Sequence, residues 1–217
     1  METLPLFPLN TVLFPGQLLP LHIFEPRYRQ MIGECLQHER PFGVVLIRSG
    51  EEVGGVAEPY PVGTTAHIVQ AEQLEDGRMN ILCLGQTRFR IKQTFHDKPY
   101  LYGRIAFWPW QPLVETGFAV DMAVIRKRLE RYVQALAELT ETQLELDLPD
   151  DPAALANTAA AVLQIDADEK QRLLTTASIG DLLLQVSEVL HRELRAWQIV
   201  QGSRQLSLDE ATPFSLN

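Results

Sequence analysis

The chain has 217 residues, 46% of them hydrophobic and 22% charged, and a net charge of −9. That balance belongs to an ordinary globular protein, long enough for one large domain or two small ones with real cores. Residues 1–110 hold 10 Lys and Arg against 11 Asp and Glu, whereas residues 111–217 hold 9 against 17. The uneven charge points to two structural units, and it argues against nucleic acid as the main partner, because phosphate binding needs a basic surface.

The chain opens with an apolar, proline-rich run. Met1-Glu2-Thr3 offers no basic stretch ahead of it, and Pro5, Pro8, Pro15 and Pro20 break any helical leader. Neither a signal peptide nor a membrane span is expected, which places the protein in the cytoplasm. Leu4–Leu9 and Leu18–Phe24 read as strands whose prolines confine them to edges, ends or bulges. Pro26 then opens a helix at its first position, with Tyr28, Met31, Ile32, Cys35 and Leu36 on one face. Phe42–Arg48 is a strongly apolar strand, and Ser49–Gly63 reads as a long mobile loop that could act as a lid. Thr65–Leu74, Met79–Leu84, Thr87–Phe95 and Leu101–Trp108 follow as strands. Hairpin turns are expected at Glu75–Arg78 and at Gly85-Gln86. Six or seven strands and one helix make a rolled sheet or partly open barrel over residues 1–110.

Beyond Trp108-Pro109-Trp110 the period becomes helical. Helices are expected over Val120–Leu146, Pro152–Leu163, Asp166–Leu174 and Ser178–Val200, with Asp151 capping the second and Ser178 with Asp181 capping the last. Residues 111–202 thus read as a helical bundle, and 203–217 as a loose tail. The whole is α+β, a β-rich rolled sheet followed by an α-helical bundle.

Catalytic spacings are missing. Gly-Lys never occurs, so there is no phosphate loop of the Walker type; no two glycines stand two residues apart, which removes the dinucleotide fingerprint. No serine sits in Gly-x-Ser-x-Gly, and His22, His38, His67, His96 and His191 are scattered singly. Cys35 and Cys83 read as buried reduced thiols. No metal, cofactor or enzymatic activity is expected.

Four stretches stand out for binding. Phe24-Glu25-Pro26-Arg27-Tyr28-Arg29 is either a strand-to-helix corner or a charged rim beside a pocket lined by Phe24 and Tyr28. Tyr60 sits in the 49–63 loop. Trp108 and Trp110 form either a seam between packed units or an aromatic shelf for peptides. Arg126 to Arg131 is the one basic cluster of the acidic half, a solvated helix face or a receiver of acidic segments. Separately, Arg88, Arg90, Lys92 and Arg104 lie on neighbouring strands, a strip that would suit RNA.

The stretch from Leu4-Pro5-Leu6-Phe7-Pro8-Leu9 through Phe14-Pro15-Gly16 and Leu19-Pro20-Leu21-His22-Ile23-Phe24-Glu25-Pro26-Arg27-Tyr28 strongly resembles the start of the Lon N-terminal domain family. That family is the substrate-binding domain of the ATP-dependent Lon proteases. Gly43–Leu46, Gly63–Ala66, Gly85–Ile91 and Tyr100–Gly103 continue the likeness, which covers nearly the whole chain and is similar to the stand-alone bacterial proteins made of this domain alone. The resemblance implies a PUA-like first subdomain followed by a helical bundle. It implies recognition of polypeptides, unfolded or tagged, or of a partner protein, without the ATPase and Ser-Lys peptidase modules of full Lon proteases. A role as adaptor or regulator in protein quality control follows from it; the PUA-like fold makes an RNA-binding module the alternative. The long helices would offer a surface for a homodimer.

Overall fold

The computed structural model describes residues 2–52, 57–113, 121–140 and 147–209. Six strands come first: β1 (Glu2–Leu9), β2 (Leu18–Ile23), β3 (Phe42–Ser49), β4 (Glu58–Gln73), β5 (Met79–Phe95) and β6 (Tyr102–Phe107), with helix α1 (Pro26–Gln37) between β2 and β3. They form one sheet in the order β2-β5-β4-β3-β1-β6, and β5 pairs a second time with β6. That second pairing closes β5, β4, β3, β1 and β6 into a barrel, with β2 laid along the first part of β5. Only β1 and β3 run parallel, because β2 and α1 carry the chain across between them.

Closure depends on the length of β5. Its first part, Met79–Leu84, pairs with β2, and its last part, Phe89–Phe95, pairs with β6. The turn expected at Gly85-Gln86 is therefore not a turn; the strand runs straight through it. Gly85 donates to the Gln17 carbonyl at 2.9 Å and accepts from Gly16 at 2.8 Å, so its backbone is satisfied without reversing the chain. A side chain there would bring Cβ within 2.3 Å of the Phe14 carbonyl oxygen, which is why the position is glycine. β4 also departs from the expectation. It starts at Glu58, where Pro59 and Pro61 gave the look of a loop. These prolines precede Val62, the first residue of β4 to pair with β5, so the missing N–H groups interrupt no central ladder. Residues 53–56 of the expected lid lie outside the described residues.

Three clusters of buried side chains hold the fold. Leu4, Leu6, Val45, Phe89 and Ile105 fill the barrel. Phe89 fits because Gly43 and Gly63 face it: a Cβ at these positions would stand 2.5 and 3.0 Å from its Cζ. The second cluster packs α1 on the barrel wall through Tyr28, Met31, Ile32 and Cys35 against Phe7, Phe42, Ile81 and Cys83. The helical period predicts this face, except that Leu36 is exposed.

The third cluster belongs to the helices α2 (Met122–Thr140), α3 (Pro152–Val162), α4 (Ala167–Leu174) and α5 (Ile179–Asp209). It also takes in Val12, Phe14, Leu46 and Val62 from the barrel side. The expected caps are present. Asp151 accepts from Ala154 N–H at 2.8 Å, and Ser178 Oγ accepts from Asp181 N–H at 3.1 Å while donating to its carboxylate at 2.7 Å. The segment expected as a tail from Ser203 begins instead as helix, since α5 continues to Asp209. No proline intervenes between Pro152 and Pro213, and extending a formed helix by one residue costs little. No helix among the described residues is long and apolar enough to cross a membrane.

α1 ends on an unusual residue. Arg40 N–H bonds to the Cys35 carbonyl at 3.1 Å and Glu39 N–H to the Leu36 carbonyl at 3.4 Å, a Schellman end with Glu39 at φ 49° where glycine is the favoured residue. Glu39→Gly is expected to raise the unfolding free energy by roughly 0.5–1 kcal/mol. Urea unfolding checks it, and an unchanged or lower midpoint would show that the left-handed backbone stores no strain here.

Candidate functional site

The strand-to-helix corner after β2 gathers aromatic and charged side chains beside two clefts. Strand alternation places the His22 and Phe24 rings together, 6.2 Å apart, and buries Ile23 beneath them. Phe24 is 47% exposed, a large apolar side chain kept at the surface. Pro26 then starts α1, so Arg27 and Tyr28 emerge in its first turn. The Tyr28 ring stacks on Phe7 of β1 at 4.0 Å, and the Arg27 guanidinium stands 4.6 Å from the Tyr28 ring centre. Arg27 Nε donates to Glu25 at 3.0 Å and its Nη2 to the Glu52 carbonyl at 3.2 Å. The Glu52 carboxylate accepts from the side chain and backbone of Asn10.

Tyr28 is shared by two clefts. The first, of about 190 Å³, is bounded by Phe7, Pro20, Phe24, Glu25 and Glu52. The second, of about 170 Å³, is bounded by Pro8, Arg27, His96, Lys98 and Tyr100. In the second, Tyr100 donates to Glu34 at 2.6 Å and accepts from Lys98 at 3.1 Å. Glu34 also accepts from Gln30 at 3.0 Å and Arg40 at 3.3 Å. The Tyr100 bond, then the Gln30 bond, hold its carboxyl below the usual range. Burial pushes the Tyr28 phenol up to about 12, with Arg27 opposing and Glu25 and Glu52 assisting. Tyr28 is thus a neutral hydrogen-bonding group at ordinary pH, not a base. Among the described residues no serine, threonine or cysteine lines either cleft. The thiols of Cys35 and Cys83 are raised to about 11 and about 12, chiefly by burial. Among the described residues no group of three His, Cys, Asp or Glu is placed to hold a metal.

The sequence-derived binding residues fall into two sets. Phe24, Glu25, Arg27 and Tyr28 come together at the clefts. Tyr60, Trp108 and Trp110 line neither; they pack between barrel and helices. Tyr60 donates to Asp168 of α4 at 3.0 Å. Trp110 Nε1 donates to Thr176 at 2.9 Å, and both indoles lie against Arg88, at 3.5 Å for Trp110 and 4.4 Å for Trp108. Arg88 is only 1% exposed and its Nη1 donates to the Leu174 and Thr176 carbonyls at 2.6 and 2.8 Å. Burial, with help from Arg90, lowers its guanidinium to about 9. The basic strip expected for RNA therefore loses Arg88 outright, and Arg90 lies over Trp108 at 3.6 Å. Arg126 and Arg128 are likewise engaged. The first bonds the Leu148 and Pro149 carbonyls and Asp150, the second Ser187, so only part of that cluster faces solvent.

Sequence reasoning missed Phe7, Pro8, Glu52, His96, Lys98 and Tyr100. His96–Tyr100 reads as a plain connection between strands. Its one signal is the packing of charge and aromatics in His96-Asp97-Lys98-Pro99-Tyr100.

The family model of the ATP-dependent protease La (LON) substrate-binding domain matches residues 3–192. The chain is 31% identical over 194 residues to the Lon protease of Anaeromyxobacter dehalogenans, covering 88% of this chain and 23% of that one. It is 30% identical over 196 residues to Lon protease 2 of Myxococcus xanthus, covering 88% and 24%. The chain thus spans about a quarter of the length of these relatives. Among solved structures, the Lon N-terminal domain protein from Xanthomonas campestris is similar with a TM-score of 0.65 and 24% identity, over 86% of this chain and 97% of that one. The N-terminal domain of the Mycobacterium avium complex Lon protease gives a TM-score of 0.64 and 17% identity, over 88% and 98%. These two likenesses show the fold.

The buried Arg88 makes a testable claim about the Trp108–Trp110 pair. Arg88→Met is expected to cost roughly 2–4 kcal/mol, because it strands two buried carbonyls. Arg88→Lys should recover little, since an ammonium cannot lie flat on two indoles. Urea unfolding followed by tryptophan fluorescence reads both. Near-wild-type stability of the Lys variant would mean that charge alone, and not the planar fork, holds the seam.

Proposed function

The chain belongs to the Lon substrate-binding domain family, and from that premise we propose that it is a non-catalytic polypeptide-binding module. The observation that carries this reading is the family match over residues 3–192, on a fold whose strand-to-helix corner carries the exposed Phe24 beside two clefts that meet at Tyr28. Exposed Phe24, on a corner held by the buried stack of Tyr28 on Phe7, offers apolar contact to many chains at modest affinity. Glu25 and Arg27 form the rim. The partners are unfolded or tagged polypeptides, or a protein that displays such a segment, and the role is that of an adaptor or regulator in protein quality control in the cytoplasm. Trp108, Trp110 and Tyr60 are left out of the binding surface in this reading, because their rings are spent on the seam.

Titration of a labelled, permanently unfolded polypeptide with the protein, followed by fluorescence anisotropy, tests the reading. Saturable binding is expected, with none to a labelled single-stranded RNA. Phe24→Ser is expected to weaken it about tenfold without moving the unfolding midpoint. Phe107→Ser, at a site 49% exposed on β6, should leave binding unchanged. No binding of the polypeptide, or equal losses in both variants, would overturn the proposal.

A further inference from the structure

Granted the polypeptide-binding role, on which this step rests, we propose that the Lys98 cleft receives a carboxylate of the bound chain, from its C-terminus or from an Asp or Glu side chain. The two clefts that meet at Tyr28 have opposite charge. Among the described residues Glu25 and Glu52 line the first, and no Lys or Arg does. Arg27 and Lys98 line the second beside the His96 ring, and among the described residues no Asp or Glu does. The remaining walls of the second cleft are Pro8, Tyr28 and Tyr100 among others. Such walls shield one side of a charge-assisted bond, which strengthens it relative to one on open surface.

The counter-charges lie behind this lining and differ in how tightly they hold it. Arg27 is closely paired with Glu25 at 3.0 Å. Lys98 stands 3.8 Å from Glu34, whose carboxylate already accepts from Tyr100, Gln30 and Arg40. The hydrogen bond Lys98 makes goes to the phenol of Tyr100, a neutral acceptor, and its side chain is 43% exposed. An ammonium has three donors, so a carboxylate entering the cleft meets a cation that is held by a neutral phenol and by a carboxylate 3.8 Å away that it shares with Arg40. A cleft of about 170 Å³ has room for one terminal side chain with its carboxylate and little more. The acidic first cleft on the other side of Tyr28 repels a run of negative charges, so a polypeptide with one carboxylate fits where a polyanion does not.

The test uses one short, fluorescein-labelled peptide rich in Leu and Ser in three forms: free C-terminal acid, C-terminal amide, and amide with one internal Asp. The acid or the Asp form is expected to bind about tenfold more tightly than the neutral amide at low salt. The stronger of the two identifies the source of the carboxylate. Lys98→Glu is expected to erase the difference, while Lys98→Arg keeps it. Equal affinity of all three forms for the wild-type protein would overturn the carboxylate proposal and leave polypeptide binding standing. A preference that survives Lys98→Glu would also overturn it. Binding of none of the three would remove both readings together.

Discussion

A guanidinium buried with no carboxylate partner among the described residues is the constraint around which this protein is arranged. Isolated charges are not left in interiors unless something replaces their hydration. Around Arg88 the replacement comes from both halves of the chain. The Trp108 and Trp110 faces follow β6, and the Leu174 and Thr176 carbonyls end α4. Its Nε and Nη2 find no hydrogen-bond partner among the described residues, so the indole faces supply the rest. The carbonyls at a helix C-terminus carry partial negative charge, which suits the cation. Neither the barrel nor the bundle can satisfy Arg88 alone. The nearby contacts follow the same line: Gln171 donates to the Val62 carbonyl at 3.0 Å, and Gln111 bridges to Ser178.

The apolar opening of the chain serves the same end. Leu4 and Leu6 enter the barrel, Phe7, Leu9 and Leu13 pack under α1, and Val12 and Phe14 join the helical cluster. One short stretch thus supplies all three cores. It also supplies the site, since Phe7 supports Tyr28 and Pro8 lines the second cleft. This accounts for its composition. A segment that feeds three cores has few positions open to polar residues. Its prolines do not mark the passage from one core to the next: Pro5 and Pro8 lie within β1, between Leu4 and Leu6 and between Phe7 and Leu9. β1 has neighbours on both sides, so the edge position expected for a proline strand holds for β2 and not for β1.

That over-determination is also why so much was legible. The α1 stripe, the caps at Asp151 and Ser178 and the Glu75–Arg78 turn each rest on local chemistry, which periodicity reports faithfully. What escaped was non-local. Strand alternation, with Phe89 inside, turns Arg88 out of the barrel, yet outward here means under the helices. Gly85-Gln86 has the residues of a turn, but the loop before β2 claimed its hydrogen bonds. In the site, Phe24 to Tyr28 were readable because they are consecutive. Lys98 and Tyr100 were not, because only closure of β5 onto β6 brings them beside α1.

The charged groups at the clefts are held in pairs, and the phenols there are held protonated. Arg27 is bonded to Glu25, Tyr100 to Glu34, and His22 to Asn80 at 2.7 Å. The phenols of Tyr28 and Tyr100 are held protonated, the first mainly by burial and the second by burial and Glu34. A general base or nucleophile needs the opposite treatment, a group poised to give or take a proton near the working pH. Paired, partly exposed ions exchange partners at small net cost, because solvent screens what is lost and what is gained. In the proposed binding role such a rim discriminates weakly among ligands, and the exposed Phe24 ring supplies apolar contact that no single sequence monopolises. Broad selectivity then follows for that role: one exposed aromatic ring on a corner fixed by the barrel, bordered by charges that can trade one carboxylate for another.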